Sequence, residues 1–168
     1  LDHVGGLPYI ADRYPNATIS YIHKPSEEQK KAEGVYNYEA DYNPQFRFGD
    51  GLSYTTFEFS ALKLSSKNIK KGENVEVSVV VKNTGKREGK EVVELYTSDL
   101  YASSVTPDVK RLRRFQKITL KRGESKTVKF TLNPKDMSYF GRGGNEILEA
   151  GEFEVMIDNL TSKFKLTL

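Results

Sequence analysis

The chain has 168 residues, 37% of them hydrophobic and 29% charged, with a net charge of +3. It contains no cysteine, which excludes thiolate catalysis, disulfide staples and cysteine-ligated zinc, and no apolar run approaches the roughly eighteen residues of a membrane helix. The charge is uneven: residues 1–56 hold 5 Lys+Arg against 8 Asp+Glu, and residues 57–168 hold 21 against 15.

The first stretch, residues 1–47, lacks periodic apolar positions and is broken by Pro8, Pro15, Pro25 and Pro44. SEEQKKAEG reads as a solvated loop, and ATISYIHK as one strand with Ile19, Tyr21 and His23 on a face. So irregular a segment cannot build its own core. The chain starts at Leu1 without a charged leader or apolar signal core, and so reads as processed or cut from something larger.

Residues 48–56, FGDGLSYTT, set Gly49 and Gly51 one residue apart among aromatics. With the charge shift at residue 57 they read as a seam between two unlike halves. Both glycines suit a sharp, close-packed turn, having no side chain to clash.

From Phe57 onward the period is two. Val75, Val77, Val79 and Val81 alternate with polar residues, as in a strand with one buried face. Asn83-Thr84-Gly85 then reads as a tight turn. Val93 and Leu95 share a face in GKEVVELYTS; Val128, Phe130 and Leu132 do so in KTVKFTL. Phe153, Val155 and Ile157, and then Phe164, Leu166 and Leu168, repeat the pattern. In the basic run KRLRRFQKITL, Leu112, Phe115, Ile118 and Leu120 are expected to point inward, the 115-to-118 step implying a β-bulge. Glycine turns at 71–73, 122–124, 141–145 and 150–151 punctuate the runs. Short strands spaced in this way predict an all-β, antiparallel sandwich of the immunoglobulin type over 57–168, preceded by an irregular segment.

FGDGLSYTTFEFS resembles the Phe-Gly-x-Gly-Leu-Ser-Tyr-Thr stretch near the C-terminus of glycoside hydrolase family 3 enzymes, the β-glucosidases and β-xylosidases. Asp50 stands where that family commonly has an aromatic residue, and Phe46-Arg47 where it has Tyr-Pro. VSVVVKNTGKREGKEVVELYTSD, the following hairpin and EAGEFEVMI are similar to its later strands in order and spacing. The resemblance implies three parts: 1–47, the tail of an α/β sandwich domain; 48–56, the seam; 57–168, a fibronectin type III-like β-sandwich. It also implies a periplasmic or extracellular setting and, as partners, the catalytic domains upstream in the same parent chain. Such enzymes use two carboxyl groups, the family placing an Asp nucleophile in a barrel and a Glu acid/base in the α/β domain. Neither motif occurs here, so no catalytic residue is carried over.

The residues themselves agree. Glu27, Glu28, Glu33, Glu39 and Asp41 have no Gly-rich loop or apolar pocket to hold a retaining pair about 5–5.5 Å apart. His3 and His23 lack metal-pair spacing, and no cofactor or metal site is expected. Ser53 is not in a nucleophile elbow. The basic run Lys110 to Arg114 could meet a polyanion, but its apolar interleaving reads as a solvated strand edge, so nucleic acid is not an expected partner, nor is a membrane. Asn16 and Asn159 open chance sequons. The aromatics Tyr36, Tyr38, Tyr42, Phe46, Phe48 and Tyr54 surround the seam. They suit a domain interface, or, in the competing reading of an independent binding module, a platform for oligo- or polysaccharide.

Overall fold

A computed structural model of the chain describes residues 48–49 and 51–168. The strand ATISYIHK, the loop SEEQKKAEG and every candidate numbered below 48 lie outside the described residues.

Among the described residues ten strands follow one another: β1 (Phe57–Leu64), β2 (Asn68–Lys70), β3 (Val75–Asn83), β4 (Gly89–Asp99), β5 (Arg111–Leu120), β6 (Ser125–Leu132), β7 (Tyr139–Phe140), β8 (Glu146–Ile147), β9 (Gly151–Ile157) and β10 (Leu160–Thr167). A 3₁₀ turn, Pro134–Met137, precedes β7. The strands form a three-stranded sheet in the order β1-β3-β6 and a five-stranded sheet in the order β2-β10-β9-β4-β5, with β7-β8 as a separate hairpin. Apart from the short parallel pairing of β2 with β10, every ladder is antiparallel. This is the all-β sandwich expected from the spacing of strands and turns.

The alternation in β3 places Val75, Val77, Val79 and Val81 fully inside. Val93 and Leu95 from β4 face them from the other sheet, together with Phe153, Val155 and Ile157 from β9 and Phe164 and Leu166 from β10. Phe153 and Phe164 are cross-strand partners and stack with ring centroids 5.7 Å apart, the offset geometry aromatic quadrupoles favour. One apolar layer therefore joins both sheets, and the hydrophobic effect is its main source of stability.

Two bulges correct faults in the alternation. In β1 the apolar positions change parity, from Phe57 and Phe59 to Leu62 and Leu64. The register against β3 slips between Ser60 and Lys63, where Ala61 takes a φ of +53°. The extra residue lets both pairs pack on the core. The second slip is in β5: Leu95 pairs with Arg114 and Tyr96 with Leu112, leaving Arg113 over.

Three sequence expectations are corrected here. No bulge lies at 115–118, because Phe115 to Ile118 pair in step with Glu94 to Glu91. Phe115 is therefore of opposite parity to Ile118 and points outward, 69% exposed. Leu168 lies beyond the end of β10 and is also exposed, since no cross-strand partner holds it against the core.

Glu91 shares the parity of Val93 and Leu95 and is half-buried. Burial raises its carboxyl above the ordinary value, partly offset by the Val92 N–H that it accepts, and Asp158 and Glu94 add repulsion. The folded protein thus holds this proton more tightly than the unfolded chain. Its ionisation costs stability, a cost absent below the unfolded value and complete above the folded one.

Glu91→Gln should therefore stabilise the sandwich at neutral pH, and the gain over the native chain should vanish near about pH 3; urea titrations at both pH values measure it. Leu95→Ala should cost about 2–5 kcal/mol and Phe115→Ser less than about 0.5 kcal/mol in the same assay.

Candidate functional site

The seam enters the sandwich at two anchor points. At the first, Gly49 has a φ of +88° and lies so close to β4 that a Cβ there would sit 2.6 Å from Glu94 Oε2. Only glycine takes this backbone without strain. The Tyr96 hydroxyl donates to the same Glu94 oxygen at 2.7 Å, and Lys110 Nζ stands 4.5 Å from the centre of the Tyr96 ring, within cation–π range. Gly49 thus rests on the outer face of the five-stranded sheet, over an organised Glu94–Tyr96–Lys110 group.

The second anchor is Thr55, buried where β3 ends and β4 begins. Its hydroxyl donates to Asn83 Oδ1 at 2.8 Å. The neighbouring Thr56 carbonyl accepts the N–H groups of Thr84 and Gly85. The fit excludes any side chain at Gly85, where a Cβ would lie 2.1 Å from Thr55 Oγ1, and leaves none at Gly89, where it would lie 2.4 Å from Thr55 Cγ2.

Asn83 organises this end. It continues the inward face of the β3 valines and has no solvent exposure. Its Oδ1 accepts from Thr55 and from the Gly85 N–H at 3.0 Å, and its Nδ2 donates to the carbonyls of Arg87 at 2.7 Å and Leu120 at 2.9 Å. Every donor and acceptor of the amide is used. Its backbone N–H donates to Glu124 and its carbonyl accepts from Gly123, closing the β5–β6 turn. Sequence reasoning had treated Asn83 as a turn residue, whereas it is a buried core position. The available signal was its parity with Val75 to Val81.

Among the seam candidates, Phe48 is half-buried, Gly51 is exposed and Tyr54 projects outward, 76% exposed; Leu52, not singled out from the sequence, is 85% exposed. Tyr36, Tyr38, Tyr42 and Phe46 lie outside the described residues, as do both histidines and the five carboxylates of the head. Ser53 Oγ accepts from the Thr55 N–H at 3.4 Å, within its own turn. The basic run is drawn into the fold. Arg111 pairs with Asp108 at 2.6 Å, and Arg113 Nε donates to Thr97 Oγ1 at 2.9 Å. Arg114 forms a bidentate pair with Asp136 at 3.0 and 2.7 Å. Among the described residues no three His, Cys, Asp or Glu side chains gather to hold a metal, and no helix is long and apolar enough to cross a membrane.

The model of the fibronectin type III-like domain matches residues 91–160. The chain is 43% identical over 154 residues to a periplasmic β-glucosidase of Salmonella typhimurium, covering 92% of this chain and 19% of that protein. It is 39% identical over 139 residues to a β-xylosidase of Formosa agariphila, covering 83% and 19%. Among solved structures, a β-glucosidase from Erythrobacter marinus superposes with a TM-score of 0.86 at 33% identity, over 96% of this chain and 22% of that one. The chain spans about a fifth of the length of the relatives it matches, in their C-terminal part.

Asn83→Ala should lower stability by about 3 kcal/mol or more, because it strands buried partners at about 1–3 kcal/mol each. Asn83→Asp, which keeps the shape, should destabilise more at neutral than at acid pH, where the protonated carboxyl recovers a donor. Gly49→Ala should cost about 1–2 kcal/mol from its positive φ. Chemical denaturation of the three variants tests the set.

Proposed function

We propose, on the premise that the chain belongs with the C-terminal, fibronectin type III-like parts of glycoside hydrolase family 3 β-glycosidases, that it works as a rigid, non-catalytic mount for the catalytic domains of its parent. The observation that carries this reading is the seam. Thr55 is locked by Asn83, and Gly49 is pressed onto β4, so the seam is held against the sandwich at two points. Between these points, Leu52 and Tyr54 stand uncovered. A large apolar residue and a tyrosine together at a domain junction are the side chains an interface favours.

In this reading Tyr36, Tyr38, Tyr42, Phe46 and Phe48 belong to the same contact, and Gly49 and Gly51 shape its turn. The parent's hydrolysis of O-glycosyl bonds is carried by upstream carboxylates, and the sandwich keeps the domains that bear them in register. The setting is extracytoplasmic, as the name of the Salmonella relative suggests for that protein. Saccharide contact by the seam aromatics is the rival reading, and it predicts saturable glycan binding by the chain alone that Tyr54→Ala abolishes.

The test is a Leu52→Ser/Tyr54→Ala double substitution in the full-length protein and in the 168-residue chain. The mount predicts that thermal inactivation of aryl β-glycoside hydrolysis shifts down by several degrees, while the melting temperature of the chain alone is unchanged. Equal shifts in both, or none in the full-length protein, would refute it.

A further inference from the structure

The end of the sandwich remote from Thr55 and Asn83 carries a pocket of about 120 Å³. Gly89, beside Thr55, and Asp99, in the pocket wall, lie at opposite ends of β4, roughly 30 Å apart at the rise of a strand. The pocket is lined by β4, β5 and β9 of the five-stranded sheet, the loop 100–110, the end of the 3₁₀ turn and β7. Its chemistry is mixed. Phe153 and Met137 supply a buried apolar floor, while Thr97, Asp99, Arg113 and Ser138 add polar groups to the wall. Phe140, 65% exposed, stands in its lining, and Tyr101, 72% exposed, flanks it next to Ala102.

The loop over the pocket is held in place by hydrogen bonds to the elements around it. The Ser103 N–H donates to Glu149 Oε2 at 3.0 Å, and the Ser103 hydroxyl donates to Oε1 of the same carboxylate. Ser104 and Tyr139 share a hydroxyl–hydroxyl bond of 3.2 Å. The other limb is tied by the Arg111–Asp108 pair, whose carboxylate is 10% exposed. Such a preformed wall lowers the ordering cost of binding.

Charge and size narrow the occupant. Two arginines and two aspartates line the pocket, so neither an isolated anion nor an isolated cation is favoured. Asp99 Oδ1 accepts the Tyr101 N–H at 3.1 Å, and no group among the described residues donates to its second oxygen. Burial and repulsion from Glu149 raise the Asp99 carboxyl above its ordinary value, against the stabilising Tyr101 N–H. A hydroxyl donor would satisfy the open oxygen in either protonation state of the ligand-free carboxyl. The volume is below the roughly 300–1,000 Å³ of sites for drug-sized ligands, so the pocket takes one face or end of a single ring rather than a longer ligand.

We propose that this pocket is a subsite for a single neutral sugar residue, with Asp99 accepting from ring hydroxyls, Ser138 and Thr97 beside it, and Phe140 stacked on an apolar C–H face. A pyranose has the required combination: several O–H donors, no charge, and a face of C–H groups that the electron-rich side of an aromatic ring attracts. The subsite is independent of the seam and would operate whether or not the chain is a mount.

The probe is methyl β-D-glucopyranoside, titrated into the ¹⁵N-labelled 168-residue chain and followed by amide shifts. Saturable shifts at Asp99, Tyr101, Ser138 and Phe140 are expected. Phe140→Ala, at an exposed position, and Asp99→Ala should each weaken binding roughly fivefold or more, with undisturbed amide spectra elsewhere for Phe140→Ala. Tyr54→Ala, in the seam, should leave binding unchanged. Absence of saturation up to the solubility limit of the sugar would overturn the proposal, as would shifts confined to the seam, unaltered binding by Phe140→Ala, or equal competition by sodium acetate.

Discussion

Asn83 is the constraint on which one end of this molecule depends. A fully buried amide is costly unless each of its donors and acceptors is paired. Here the pairing is complete only if four separate segments arrive together: the seam through Thr55, the β3–β4 connection through Gly85 and Arg87, the end of β5 through Leu120, and the β5–β6 turn through the backbone. A hydrophobic residue would fill the same volume but would accept any of several approaches. The amide accepts one, and so fixes how Thr55 meets the end of β3.

The rest of the architecture adapts the valine-rich core to that end. Both bulges act on parity. Ala61 lets β1 change its inward face between Phe59 and Leu62, so that four apolar residues reach the core from a strand whose simple alternation would waste two. Arg113 breaks step with β4 and lies beside Thr97, whose hydroxyl accepts from its guanidinium. The basic run that looked in sequence like a charged stripe is thereby tied to Asp108, Thr97 and Asp136. Its arginines hold a loop and a 3₁₀ turn rather than standing ready for a polyanion.

The two ends of the sandwich then take on different characters. The seam end is tightly packed, and its exposed Leu52 and Tyr54 suit contact with another protein surface. The opposite end is open, mixed in polarity and rimmed by Phe140 and Tyr101. A β-sandwich gathers its loops at its two ends while the sheets between them stay uniform. Packing and recognition can therefore be allotted to separate ends of one core.

The sequence by itself determined the fold class, because an alternation of two depends only on neighbours along the strand: Val75 to Val81, Val128 to Leu132 and Phe153 to Ile157 all proved to be inward-facing. The resemblance of FGDGLSYTTFEFS to a family of β-glycosidases named the relatives later found. Phe115, Leu168 and Asn83 were misjudged for a common reason. Whether a residue is buried depends on what its partner strand places opposite, and register is absent from a single strand. Phe115 follows the register of Glu94, Leu168 runs past the last ladder pair, and Asn83 acquires two of its side-chain partners, Thr55 and Leu120, from 28 and 37 residues away in the chain. The pocket was invisible for the same reason, since Asp99, Ser138 and Phe140 become neighbours only when the sheets close. Local pattern fixes which elements form; only the tertiary structure decides which polar groups must satisfy one another, because burial and pairing are properties of the packed sheets.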